Sequence, residues 1–84
     1  MFTVYSKPNC PFCVQAKALL AQNNKEYVEI HLDFNQPKLD GQTYISREAF
    51  FEQFPTQKTM PLILGPEGAI GGFTELKEYL EYDF

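Results

Sequence analysis

The sequence has no tryptophan, one histidine (His31) and only two cysteines, Cys10 and Cys13. A structural zinc site calls for four nitrogen or sulfur ligands, which this inventory does not supply within one chain. Two cysteines are also too few for the disulfide scaffold of a small secreted protein, so a cytoplasmic setting is expected. No basic stretch followed by a long apolar run opens the chain, so no signal peptide is expected. No apolar run approaches the roughly 20 residues that cross a bilayer, so no membrane partner is expected either. Lys and Arg number 7 against 11 Asp and Glu, for a net charge of −4. Nucleic-acid surfaces cluster Lys and Arg, so no nucleic acid is expected as a partner. The excess acid gathers late, at Glu67, Glu75, Glu78, Glu81 and Asp83, mostly on what reads as a solvated helix.

What is present suffices for one folded unit. The 84 residues are 44% hydrophobic and 15% aromatic, enough for one modest core. A single domain over residues 1–84 is expected.

The cysteines stand three apart, after the apolar run 2–5 (Phe2-Thr3-Val4-Tyr5) and before a helical pattern. A helix N-terminus offers unpaired N–H groups and a partial positive charge, and both favour a thiolate. Pro11 suits the first helical position, where its missing N–H costs nothing. Cys10 is therefore expected at the N-cap and Cys13 at N3, with the Cys13 N–H donating to the Cys10 sulfur. A purely structural disulfide explains the pair poorly, because so small a loop removes little unfolded-state entropy. Two buried, inert thiols remain an alternative. The strand before and the helix after point instead to a reactive pair.

Along the chain, Val14, Ala16, Leu19 and Leu20 recur at helical spacing from Pro11 to the stop at Asn23-Asn24. Residues 27–32 alternate, which puts Val28, Ile30 and Leu32 on the core side and His31 on the solvent side. Strand, helix and strand predict a parallel pair with a right-handed crossover. Residues 33–44 hold Asn35, Pro37, Asp40 and Gly41 and read as a loop. Ser46 is a good N-cap, and Ile45 and Phe50 suit a hydrophobic staple. That second helix carries the aromatic face Phe50, Phe51 and Phe54 and ends at Pro55. Residues 61–64 and 69–71 predict an antiparallel hairpin around the turn 65–68. Thr74 is expected to cap a last helix bearing Leu76, Tyr79 and Leu80.

The resulting order, β-α-β-α-β-β-α with Cys-x-x-Cys after the first strand, resembles the thioredoxin-like fold and, within it, the glutaredoxins. Three segments carry the resemblance: residues 5–13 around Cys10-Pro11-Phe12-Cys13, residues 58–61 (Lys-Thr-Met-Pro), and residues 70–76 around Gly71-Gly72-Phe73. The family's usual forms have Tyr at position 12, Val at 60 and Cys at 73. The short length and the Gly-Gly-Phe variant are most similar to glutaredoxins encoded by bacteriophages, for which the setting is the host cytoplasm. The implied fold is α/β, a four-stranded mixed sheet flanked by helices.

The resemblance also implies a function: a dithiol oxidoreductase that reduces protein disulfides and protein–glutathione mixed disulfides. Cys10 is then the nucleophile and Cys13 the resolving thiol. Glutathione is a co-substrate, no cofactor or metal is required, and a monomer is expected. Its implied binding residues are Lys7, Phe12, Thr59, Met60, Pro61, Gly72, Phe73 and Thr74. Pro61 is implied to follow a cis peptide bond, so that Met60 offers backbone N–H and C=O to an extended substrate. The start of the last helix suits the γ-glutamyl carboxylate, and Lys7 the glycine carboxylate. Ribonucleotide reductase is a candidate electron acceptor. Three other readings stand beside this one: a glutaredoxin-like redoxin reduced by thioredoxin reductase, a module holding a [2Fe–2S] cluster between two chains, and a non-catalytic adaptor. Pro11, Thr74 and Glu75 favour glutathione over the first.

Overall fold

The computed structural model describes residues 1–82; Asp83, counted above with the acidic end, lies outside them. The elements run β1 (Phe2–Ser6), α1 (Pro11–Gln22), β2 (Tyr27–Asp33), β3 (Thr43–Ser46), α2 (Arg47–Gln53), β4 (Leu62–Gly65), β5 (Gly68–Gly71) and α3 (Phe73–Glu81). They build one mixed sheet in the order β3-β2-β1-β4-β5. β1 and β2 run parallel, as a βαβ unit requires, and β4 and β5 form the expected antiparallel hairpin.

The sheet has five strands where the sequence reading expected four. The additional strand is β3, which pairs in parallel with β2 from Ile30↔Thr43 to Asp33↔Ser46. The stretch 33–44 was expected to be loop throughout. Its turn residues do bend the chain, with Asn35 at φ 63° and Gly41 at φ 81°. Thr43, Tyr44 and Ile45 are β-formers, however, and they reach the open edge of β2 directly before the helix. Ser46 closes that strand and caps α2 as well, its Oγ accepting the Ala49 N–H at 3.1 Å.

Two apolar clusters lie on the two faces of the sheet. Phe2, Val4, Ala16, Leu20, Ile63 and Leu76 pack between β1, β4, α1 and α3. Tyr5, Leu32, Phe50 and Leu62 pack beneath α2, with Ile30, Ile45 and Phe54 around them. The aromatic face expected of α2 divides: Phe50 is fully buried, whereas Phe51 is 41% exposed. Val28 was expected on the core side and is 44% exposed. At seven residues, α2 spans only about 10 Å. It covers Ile30 and Leu32 and leaves the other end of β2 open.

The last helix begins two residues earlier than the sequence suggested. Gly72, not Thr74, is the N-cap, and Thr74 sits inside the first turn. The Glu75 carboxylate reaches back to accept the Gly72 N–H at 2.8 Å, which fixes the entry of the chain there. Gly71 just before it takes φ 128°, where a side chain is strained.

Candidate functional site

The reactive pair is assembled where β1 hands over to α1. Beyond Ser6 the chain leaves the sheet, and Asn9 takes φ 55°, a left-handed conformation that asparagine tolerates. This places Cys10 at the N-cap in extended geometry, with Pro11 opening the helix. The Cys13 N–H donates to the Cys10 sulfur at 3.2 Å. That sulfur therefore lies at the positive end of a twelve-residue helix. The two sulfurs are joined in a disulfide, with Cα atoms 5.2 Å apart. Cys10 keeps 8% of its surface exposed and Cys13 only 2%.

β4 brings a second backbone segment to the same point. The Met60–Pro61 peptide is cis, as expected, and the Met60 carbonyl oxygen stands 3.8 Å from the Cys10 sulfur. In the disulfide that sulfur has no proton to donate, so this is a contact and not a hydrogen bond.

All eight residues expected to meet a glutathione-like ligand line one groove of about 420 Å³: Lys7, Phe12, Thr59, Met60, Pro61, Gly72, Phe73 and Thr74. Lys58 and Glu75 complete its wall. The rings of Phe12 and Phe73 stand 6.1 Å apart at 35°, an apolar rim between the cysteine helix and α3. Phe12 is 57% exposed, so the rim is open to a partner. At the α3 end, the Glu75 carboxylate already holds the Gly72 N–H, and the Phe73 and Thr74 N–H groups lie in the first turn, beyond the reach of the helix's own carbonyls. A side chain at Gly71 would collide with Glu75, its Cβ falling 2.8 Å from the Glu75 Cγ.

A second cavity, about 630 Å³, is lined by both cysteines and was not anticipated. Ser6, Lys17, Glu29, His31 and Tyr44 also line it, and Lys7 lines both spaces. On its wall the Glu29 carboxylate accepts hydrogen bonds from Lys17 Nζ and from Ser6 Oγ, each at 2.8 Å. Burial works to raise the Glu29 carboxyl, but the bonds from Lys17 and Ser6 and the nearby Lys17 and His31 outweigh it and hold it below its ordinary value. His31 lies opposite Val28 and Ile30, as expected, but it is not a free surface residue. Its Nε2 is 2.9 Å from Gln42 Oε1 and 3.6 Å from Glu29 Oε1, and its ring lies against Tyr44. The one sequence signal for this cluster was the spacing of Glu29 and His31, which places both on the same face of β2.

A mixed sheet that delivers a Cys-x-x-Cys pair to a helix N-terminus, with a cis-proline segment facing it, defines a thioredoxin-like protein of the dithiol type. Residues 2–63 match the model of the glutaredoxin family, and the chain belongs to that family. It is 34% identical over 70 residues to glutaredoxin 1 of Rickettsia conorii, covering 82% of this chain and 61% of the relative. It is 36% identical over 77 residues to a glutaredoxin of Neisseria meningitidis, covering 88% of this chain and 78% of that one. The chain thus spans about three fifths of the length of the rickettsial relative. Among solved structures, glutaredoxin 1 of Francisella tularensis, in complex with cacodylate, superposes with a TM-score of 0.72. That pair is 28% identical, over 95% of this chain and 91% of the other.

Proposed function

We propose that the chain is a glutathione-dependent thiol–disulfide oxidoreductase. The observation that carries this reading is the Cys10 sulfur, capped by the Cys13 N–H and bordered by Met60, beside a groove lined by every expected ligand residue. The reduced Cys10 thiolate attacks a substrate disulfide, forms a mixed disulfide and expels the other sulfur as thiolate. The Cys13 thiol loses its proton and attacks the Cys10 sulfur, which releases the second substrate thiolate and leaves the Cys10–Cys13 disulfide. Two molecules of glutathione return that disulfide to the dithiol and leave as glutathione disulfide.

Lys7 and the start of α3 lie along the groove and supply positive charge for the two carboxylates of glutathione. Met60 offers its backbone to the extended tripeptide, and the Phe12–Phe73 rim covers its cysteine. A monomer working in the cytoplasm fits this reading, with ribonucleotide reductase as a candidate electron acceptor. The test is reduction of a glutathione mixed disulfide with glutathione, NADPH and glutathione reductase, run beside thioredoxin reductase. Turnover with the first system supports the reading; turnover with thioredoxin reductase alone overturns the choice of donor.

A further inference from the structure

Building on that reading, we propose that His31 takes up and returns the proton of Cys13 through the cavity the two residues share, and that Glu29, Ser6 and Lys17 are positioning residues for it. Cys13 is 2% exposed, yet it must lose a proton each time it resolves a mixed disulfide and regain one each time glutathione reopens the pair. It lines the 630 Å³ cavity, so this space gives its proton a path to solvent.

The cavity's ionisable lining is Lys7, Lys17, Glu29, His31 and Tyr44. Of these side-chain types, imidazole is the one that exchanges a proton near neutrality. The groups around His31 come from each neighbouring element. Ser6 Oγ from β1 is 3.5 Å from its Nδ1, and Gln42 at the mouth of β3 is 2.9 Å from its Nε2. Glu29 on its own strand stands 3.6 Å away, Tyr44 from β3 stacks on the ring, and Lys17 from α1 reaches Glu29. Ser6 is 2% exposed, and its hydroxyl sits between the imidazole and the carboxylate. The Glu29 carboxylate is itself held in place by Lys17 at 2.8 Å.

Cys13 Sγ–H passes its proton through cavity water to the His31 imidazole while the sulfur electron pair forms the Sγ–Sγ bond to Cys10. The bond from Cys10 to the substrate sulfur breaks, and that sulfur leaves as a thiolate that is protonated from solvent. In the reverse direction, glutathione thiolate attacks Cys10 Sγ, and the departing Cys13 thiolate takes its proton back from the imidazolium.

A symmetrical aromatic disulfide, 5,5′-dithiobis(2-nitrobenzoate), reads both stages without glutathione. Stopped-flow absorbance should show a first coloured thiolate on attack by Cys10 and a second on resolution by Cys13, with the second missing from Cys13→Ser. His31→Gln should slow the second phase at pH 7 by about ten-fold or more, relative to the first phase. Glu29→Gln, which removes the carboxylate 3.6 Å from the imidazole, should slow the second phase in the same direction and leave the first unchanged. An unchanged second phase in both variants, or equal slowing of both phases, overturns the assignment. Should His31→Gln disturb the fold, as read from its amide spectrum, selective slowing of the second phase in Glu29→Gln decides alone. Absence of the first phase would instead refute the oxidoreductase reading, and failure with glutathione would leave this result standing.

Discussion

The Cys13 backbone N–H donates to the Cys10 sulfur at 3.2 Å, so the residue proposed to resolve the mixed disulfide also holds, through its main chain, the sulfur proposed to attack. On reduction, the same N–H and the helix N-terminus favour the Cys10 thiolate. Absorbance of the thiolate at 240 nm should place the Cys10 thiol well below the about 8.5 of a free cysteine. A value at or above that figure would show that the cap does not activate it.

The two thiols should be separable by substitution. Cys13→Ser keeps the nucleophile and its backbone donor, so exchange of a small glutathione mixed disulfide should persist while reduction of a two-cysteine protein disulfide falls away. Cys10→Ser should abolish both. Loss of glutathione exchange in Cys13→Ser would reverse the roles.

Lys7 lies on the groove and on the cavity alike. Lys7→Glu puts a negative charge beside a ligand carboxylate at an exposed site, which should weaken glutathione by about 1 kcal/mol, roughly five-fold in apparent affinity. An unchanged apparent KM for glutathione removes Lys7 from the site.

The glycines before α3 should not be equivalent. At Gly71, φ is 128° and a Cβ would lie 2.8 Å from the Glu75 Cγ, whereas at Gly72 the nearest atom is Glu75 Oε1 at 3.3 Å. Gly71→Ala should therefore cost about 1–3 kcal/mol. At this chain length each kcal/mol lowers Tm by roughly 4–8 °C. Gly72→Ala should cost less. Equal Tm losses in a thermal melt would mean that the strain does not reside at Gly71.

Much of this arrangement was legible in the sequence because local chemistry and final structure agree. Cys10-Pro11 at a helix start, Ser46 before Ala49 and the 65–68 turn each act through near neighbours, and the three segments that carry the family resemblance line one groove. The missed features depend on partners distant in sequence. Strand β3 exists because β2 offers an open edge, and Val28 is exposed because α2 is too short to reach it. Lys17 and Glu29 meet only once α1 has packed against the sheet, and nothing at residue 17 announces a partner at residue 29.

Glu29 should also appear in the acid stability of the fold. Its carboxyl is held below its ordinary value, so the charged form contributes stability above the unfolded glutamate pKa of about 4.3. That contribution is lost as pH falls through the lower folded value. Urea unfolding should therefore show the unsubstituted protein more stable than Glu29→Gln at pH 7, with the gap closing below about pH 4. A gap independent of pH would show that the carboxylate is not stabilised by its bonds to Lys17 and Ser6.

The central claim is that Cys10 accepts a glutathionyl group whose tripeptide lies in the groove between Lys7, Met60 and the start of α3. Its most direct test is the Cys13→Ser variant loaded with glutathione disulfide and followed by peptide mass mapping and amide chemical shifts. The account predicts one glutathionyl group on Cys10, with the largest shifts at Lys7, Thr59, Phe73 and Thr74. A stable adduct whose shifts fall instead around Lys17, Glu29 and Tyr44 would contradict it, as would no adduct at all.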